Sequence, residues 1–171
     1  MTALAAPPQD DPKHAVSRPF FDRARELLAT FFYVGYLPLV PGTWGSAAAA
    51  AAFVAVGRPF GPAGWAAFGG VILVSCFALS RAERVFGADD PKPVVLDEVA
   101  GMWLTFMLGN AGGWGYLAAG FALFRALDGL KPWPIRYLER LPGGVGIIAD
   151  DLGAGLVAGL VVRAATALLA H

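Results

Sequence analysis

Four polar clusters interrupt an otherwise apolar chain, and each one borders an apolar stretch of helical length. The stretches are 46–56, 64–79, 99–124 and 152–170. The third is broken by Gly109-Asn110-Ala111-Gly112-Gly113, which predicts two helices, 99–108 and 114–124, joined by a turn. Apolar residues make up 57% of the chain and charged residues 15%, with a mean hydropathy of +0.58. Soluble domains carry about 25% charge, so this pattern predicts an all-α protein, a compact bundle of short helices spanning a membrane several times. A straight span needs about 20 residues and several of these pieces are shorter. Buried helices of a soluble bundle are the competing reading.

The distribution of charge separates the two. With the five pieces alternating across a bilayer from an inside N-terminus, 11 of the 13 Lys and Arg residues fall on the inner side. Arg58 lies outside and Arg163 within the last span, while all 13 acids lie inside or at inner helix ends. A soluble bundle gives no reason for the acid-free run 27–81 or for the acid-free last 20 residues. The membrane reading accounts for both.

Residues 1–18, rich in proline and aspartate, read as a disordered tail, and 19–171 as one helical domain. Phe20, Phe21, Ala24, Leu27, Leu28, Phe31 and Phe32 recur at helical spacing, predicting an amphipathic helix that ends near Gly35 and Pro38 and lies at the membrane surface or, alternatively, packs as an ordinary core helix. Cys76 cannot form an internal disulfide and reads as a small buried hydrophobe. The net charge of zero excludes a basic nucleic-acid surface, and no protein partner is evident.

The four clusters carry the chemistry. Pro41-Gly42-Thr43-Trp44-Gly45-Ser46 precedes an alanine-rich helix, whose free amides, with the Thr43 and Ser46 hydroxyls, suit an anionic phosphate. A plain turn and cap is the alternative. Asp97-Glu98 enters the next apolar helix, and Gly101, one turn on, leaves room for another backbone or a ligand beside the acid. The third cluster runs from Phe124 to Arg136, placing Arg125 and Asp128 on one helical stripe before Lys131-Pro132-Trp133-Pro134 stops the helix. A local Arg125–Asp128 pair is its simpler reading. The fourth, Gly143-Gly144-Val145-Gly146-Ile147-Ile148-Ala149-Asp150-Asp151, places a second acid pair at the start of the helix 152–170, where Gly155 and Gly159 permit close packing. Helix-dipole complementation is the alternative for both pairs.

The predicted topology brings all four clusters to one face. Asp97, Glu98, Asp128, Asp150 and Asp151 are therefore candidate catalytic groups and metal ligands; Thr43, Ser46, Arg125, Lys131 and Arg136 are candidate phosphate binders. Clustered carboxylates repel unless a divalent cation neutralises them, and an oxygen-only donor set favours Mg²⁺ over Zn²⁺. Cation and basic groups around a phosphate suit phosphoryl chemistry.

These residues resemble the phosphatidylglycerophosphatase A family of bacterial membrane lipid phosphatases. The resemblance rests on Pro41-Gly42-Thr43-Trp44-Gly45-Ser46, Asp97-Glu98 with Gly101-Met102-Trp103, Phe124-Arg125 with Asp128, and Lys131-Pro132-Trp133-Pro134-Ile135-Arg136. Gly143-Gly144-Val145-Gly146-Ile147 with Asp150-Asp151 and Ala154-Gly155 completes it, in family order over about 35–155. It implies an all-helical fold and Mg²⁺-dependent hydrolysis of phosphatidylglycerophosphate to phosphatidylglycerol and inorganic phosphate. It also implies a place in the bacterial inner membrane with the site on the cytoplasmic side.

Two rivals fit less well. A CDP-alcohol phosphotransferase needs an aspartate three residues before the Asp128-Gly129 pair, where this chain has Arg125, and an Ala-Arg pair where it has Lys131-Pro132. A divalent-ion carrier would place acids within spans along a path, whereas these gather at helix ends.

Overall fold

The computed structural model describes residues 20–58, 60–87, 91–109, 113–141 and 144–169. The expected tail lies outside them, as does the middle of the turn after Gly109. The described residues are helical, without strands: α1 (Phe20–Ala29), a short 3-10 turn (Val34–Tyr36), α2 (Pro41–Ala55), α3 (Pro62–Leu79), α4 (Ala82–Phe86), α5 (Leu96–Gly109), α6 (Trp114–Leu130), α7 (Ile135–Leu138) and α8 (Gly144–Leu169).

α5 is the axis of the bundle, packed against α8, α2, α6 and α3. Ten of its 14 residues are buried. Its aromatic core joins Phe106 to Phe53 of α2 at 5.2 Å between ring centres, with Trp103 edge-on to Phe53 at 5.7 Å. The small residues of α2 let the indole N–H of Trp103 donate to the Ala49 carbonyl at 3.2 Å. At the far end of α5, the Tyr116 hydroxyl stands 2.9 Å from the carbonyls of Thr105 and Phe106. Last-turn carbonyls have no partner within their own helix, so α6 completes the end of α5.

Three boundaries and the burial of one residue differ from expectation. α1 stops at Ala29 rather than near Gly35. The Thr30 hydroxyl donates back to the Glu26 carbonyl at 2.8 Å and accepts the Tyr33 N–H at 3.1 Å, and Phe31, Phe32 and Tyr33 take left-handed backbone angles. α2 starts at Pro41, so the Pro41–Ser46 segment is the helix's first turns rather than a turn before it. A first-position proline already has the helical φ and has no N–H to leave unbonded. α8 starts at Gly144, which puts Asp150 and Asp151 two turns inside it. Cys76 is exposed, not buried, on the outward side of α3 with Leu73 and Phe77.

Of the five expected spans, the helices containing two, Pro62–Leu79 and Val145–Leu169, are long and apolar enough to cross a membrane. α2, α5 and α6, at 15, 14 and 17 residues, rise about 21–26 Å, short of a hydrocarbon core of about 30 Å.

Candidate active site

α5 and α8 cross where each lacks a side chain. A Cβ on Gly101 would stand 2.6 Å from the Asp151 carbonyl oxygen and from the Phe124 ring, and one on Gly155 would run into the Gly101 carbonyl. Each glycine follows an acid by one turn, Asp97 before Gly101 and Asp151 before Gly155. The close crossing therefore presses two acidic faces together. Asp97, Glu98 and Asp151 each present a carboxylate oxygen within 4.8 Å of the other two. At that separation, a pair of full charges repels by about 3–4 kcal/mol with an effective dielectric near 20.

The remaining groups arrive from α2 and α6. A Cβ on Gly42, at the start of α2, would collide with the Glu98 carboxylate and sit 3.2 Å from Arg125 Nη1, so this glycine lets α2 close over the acids. Arg125 donates to its neighbour Asp128. Lys131 caps α6 in the left-handed region, with φ of 42°. Its ammonium donates to Asp150 Oδ2 at 2.6 Å and to Glu139 Oε1 at 3.3 Å. Burial alone would lower that ammonium's pKa; Asp150 outweighs it and holds Lys131 well above its ordinary range.

Five carboxylates thus share this end of the bundle, and Asp97, Glu98 and Asp151 among them have no ion-pair partner among the described residues. Asp97 and Glu98 are half-buried, and Asp150 and Asp151 are buried. Burial raises the Asp97 pKa, although the Glu98 N–H donates to its Oδ1 at 3.0 Å. Burial, and then the charge of Asp97, raises Glu98 well above the ordinary carboxylate range. Glu98 Oε2 and Asp150 Oδ1 are buried without a hydrogen-bond partner. Unpartnered buried carboxylate oxygens beside a three-carboxylate cluster fit a hard divalent cation, which takes oxygen ligands of this kind.

A cavity of about 630 Å³ opens here. All five candidate acids and Lys131 line it. The other candidate phosphate binders do not form its wall. Ser46 is fully buried and its hydroxyl donates to the Gly42 carbonyl at 2.8 Å. Arg136 is exposed on α7, where Arg136 N donates to Pro132 O. Thr43 is half-buried in the first turn of α2 with its amide taken by Val40, and Arg125 is turned to Asp128. The local Arg125–Asp128 pair, the simpler reading, is what the structure contains. Three cations that sequence reasoning passed over, Arg81, Arg84 and Lys92, line the cavity as well. Arg81 and Arg84, three apart just beyond the inner end of an apolar run, were the available signal.

Residues 27–166 match the family model described as Phosphatidylglycerophosphatase A. A relative of that name from Escherichia coli K12 is 37% identical over 154 residues, covering 85% of this chain and 87% of its own. One of the same name from Haemophilus influenzae is 36% identical over 140 residues, covering 81% and 86%. A Bacteroides thetaiotaomicron relative, provisionally named a phosphatidylinositol-3-phosphatase, is 34% identical over 146 residues, covering 81% and 91%. No solved structure matches this chain. With the acidic site and these matches together, the chain belongs to the phosphatidylglycerophosphatase A family and is a phosphoric monoester hydrolase.

Proposed function

We propose that this protein removes the terminal phosphate of phosphatidylglycerophosphate, giving phosphatidylglycerol and inorganic phosphate, at the cytoplasmic face of a bacterial inner membrane. The observation that carries this reading is the meeting of Asp97, Glu98 and Asp151 in a cavity shared with Asp128, Asp150 and Lys131. The names of two relatives supply the substrate.

Asp97, Glu98 and Asp151 would hold Mg²⁺, with the free Asp150 oxygen at the same wall. When bound, the cation supplies charge neutralisation and Lewis-acid polarisation of phosphate oxygens. The protein's own groups do the rest. Asp150 with Glu139 fixes the Lys131 ammonium in the cavity wall, so positive charge is oriented before substrate arrives. A carboxylate of the cavity wall left free of the cation would accept the proton of the attacking water as the phosphate ester bond breaks.

Membrane placement rests on outward-facing apolar surface. The apolar windows of α3 and α8 bury only 22% and 28% of their residues within the bundle, and Leu73, Phe77, Leu160, Val161 and Leu168 point away from it. Trp44, Trp133 and Tyr137 are exposed on the elements that carry the site's residues, as expected of a ring at the membrane–water boundary. We read α3 and the part of α8 beyond Asp151 as full spans, and α2, α5 and α6 as shorter crossings completed by their neighbours. The span of α5 begins at Val99, leaving Asp97 and Glu98 at its cytoplasmic end.

The test is phosphate release by purified protein in detergent, with phosphatidylglycerophosphate, phosphatidic acid and phosphatidylinositol 3-phosphate compared at matched Mg²⁺. Release from the first in preference, abolished by chelation and restored by Mg²⁺, is the expected result. Equal rates in chelator would remove the cation from the reading; preference for another lipid would replace the substrate.

A further inference from the structure

The cations around the cavity divide into two classes. Arg125 and Lys131 are engaged by Asp128, Asp150 and Glu139. Arg81, Arg84 and Lys92 also line the cavity and are exposed, but none of them has a carboxylate partner among the described residues. Arg81 and Arg84 stand three residues apart and share one cavity lining with Lys92, and an anion bound among like charges offsets their repulsion. The carboxylates that line the same cavity form no ion pair with them, which leaves all three available to an anionic ligand. The cavity volume of about 630 Å³ is that of a site enclosing a whole small ligand, which runs from about 300 to 1,000 Å³.

We propose that Arg81, Arg84 and Lys92 form a second anion subsite, which holds the phosphodiester of the lipid headgroup while the terminal phosphomonoester lies at the carboxylates. This rests on phosphatidylglycerophosphate being the substrate, because that lipid carries both groups, separated by one glycerol. The placement suits it. Arg81 and Arg84 follow directly on α3, which ends at Leu79, so they stand where an apolar span meets the cytoplasmic surface. That is the depth of a lipid's own diester. Each guanidinium can bridge the two non-bridging oxygens of a diester with paired N–H donors. The enzyme would then select by the distance between two phosphates. Phosphatidic acid, whose monoester sits directly on diacylglycerol, cannot fill both subsites.

The experiment uses the full chain in detergent. The ratio of kcat/KM for phosphatidylglycerophosphate to that for phosphatidic acid is measured in wild type, in the Arg81→Gln/Arg84→Gln pair, and in Lys92→Gln. The ratio should fall about tenfold or more in the Arg pair, the loss of a charge-assisted contact, and mostly through KM. The Arg81→Lys/Arg84→Lys pair should recover part of it. Lys92→Gln, on a separate segment, should lower the ratio in the same direction, which a folding defect in α4 would not explain. An unchanged ratio, with both substrates falling together or neither falling, overturns the proposal. A second measurement does not depend on turnover: binding of phosphatidylglycerol, which keeps only the diester, titrated calorimetrically in detergent micelles. The Gln pair should bind it about tenfold more weakly; equal binding overturns the subsite. If wild type releases no phosphate from phosphatidylglycerophosphate, the proposed function fails, and the binding measurement alone decides the subsite.

Discussion

Asp97 and Glu98 stand in the first turn of α5, whereas Asp150 and Asp151 are the seventh and eighth residues of α8. The first pair has the ordinary comforts of a helix start. The dipole favours each acid there by about 0.3–1 kcal/mol, and Asp97 accepts the following N–H. The second pair has no free amides, because the helix has already begun. Asp150 relies on Lys131 instead, and Asp151 is buried against the other acids. A helix cap explains the first pair without invoking function; it does not explain the second. The comparison says which acids are held in place only by what they do.

The largest expected effect therefore belongs to Asp151→Asn. Turnover should fall about a thousandfold, the upper range for losing one electrostatic contributor to a transition state. The melting temperature without divalent cation should rise, since one charge leaves a repelling cluster. Mg²⁺ should raise the wild-type melting temperature and leave the variant's nearly unchanged, because only a bound ligand stabilises the folded state. If Asp151→Asn melts lower than wild type in chelator and keeps its turnover, the acid is structural and the contrast between the pairs collapses.

Gly101→Ala tests the crossing that joins the pairs. The added methyl would meet the Asp151 carbonyl and the Phe124 ring at 2.6 Å, and backbone cannot turn aside as a flexible side chain can. Overpacking of this kind costs about 1–3 kcal/mol, and a misplacement near 1 Å costs about a hundredfold in rate. Full activity in Gly101→Ala would show that the three carboxylates need not be so close.

Removing the counter-charge of the second pair comes next. Lys131→Met leaves Asp150 buried with one oxygen newly unpartnered. Breaking a buried pair costs about 3–5 kcal/mol, and the partial exposure of Lys131 reduces the expected loss to about 1–3 kcal/mol. Adding Asp150→Asn to Lys131→Met should restore most of the stability but not the turnover. A double variant no more stable than Lys131→Met would mean that the ion pair contributes nothing to holding α8.

Much of this comparison was legible from residue order alone. The helical class, the break between α5 and α6, and the role of Gly101 and Gly155 as contact points follow from apolar length and from glycines one turn past an acid. The start of α8 did not follow, because Gly143, Gly144 and Gly146 read as loop. Gly146 serves a close approach instead: a side chain there would strike the Leu141 carbonyl of the segment leading into α8, a fit that only glycine permits. The start of α2 was misplaced by treating Pro41 and Gly42 as a turn, although proline favours the first helical position. The roles of Arg125 and Lys131 divided differently from expectation because ion pairing depends on which acids the fold brings near. For the same reason Arg81, Arg84 and Lys92 were invisible as site residues: only the folded chain places the α3–α4 junction beside α5 and α8.

The smallest effect is a slope in pH, and it reads the first pair. Glu98 is raised well above its ordinary value of 4.5, and Asp97 is raised above 3.8. A carboxyl raised on folding keeps its proton over a range where the unfolded chain has lost it. The folded state then binds more protons than the unfolded one, so stability falls as pH rises through that window. Without divalent cation, the melting temperature in detergent should therefore decline from about pH 4.5 upward until the raised carboxyls have ionised, by at most about 1.4 kcal/mol per pH unit for each proton. Saturating Mg²⁺ should flatten or reverse this slope, because cation binding draws on the ionised form. Glu98→Gln should reduce the slope without metal, as one of the groups that titrate is gone. A metal-free profile that is flat across this range in wild type would show that Asp97 and Glu98 ionise as freely as exposed acids. The first-turn pair would then be an ordinary capped helix start, and only Asp150 and Asp151 would remain as acids whose placement calls for a cation.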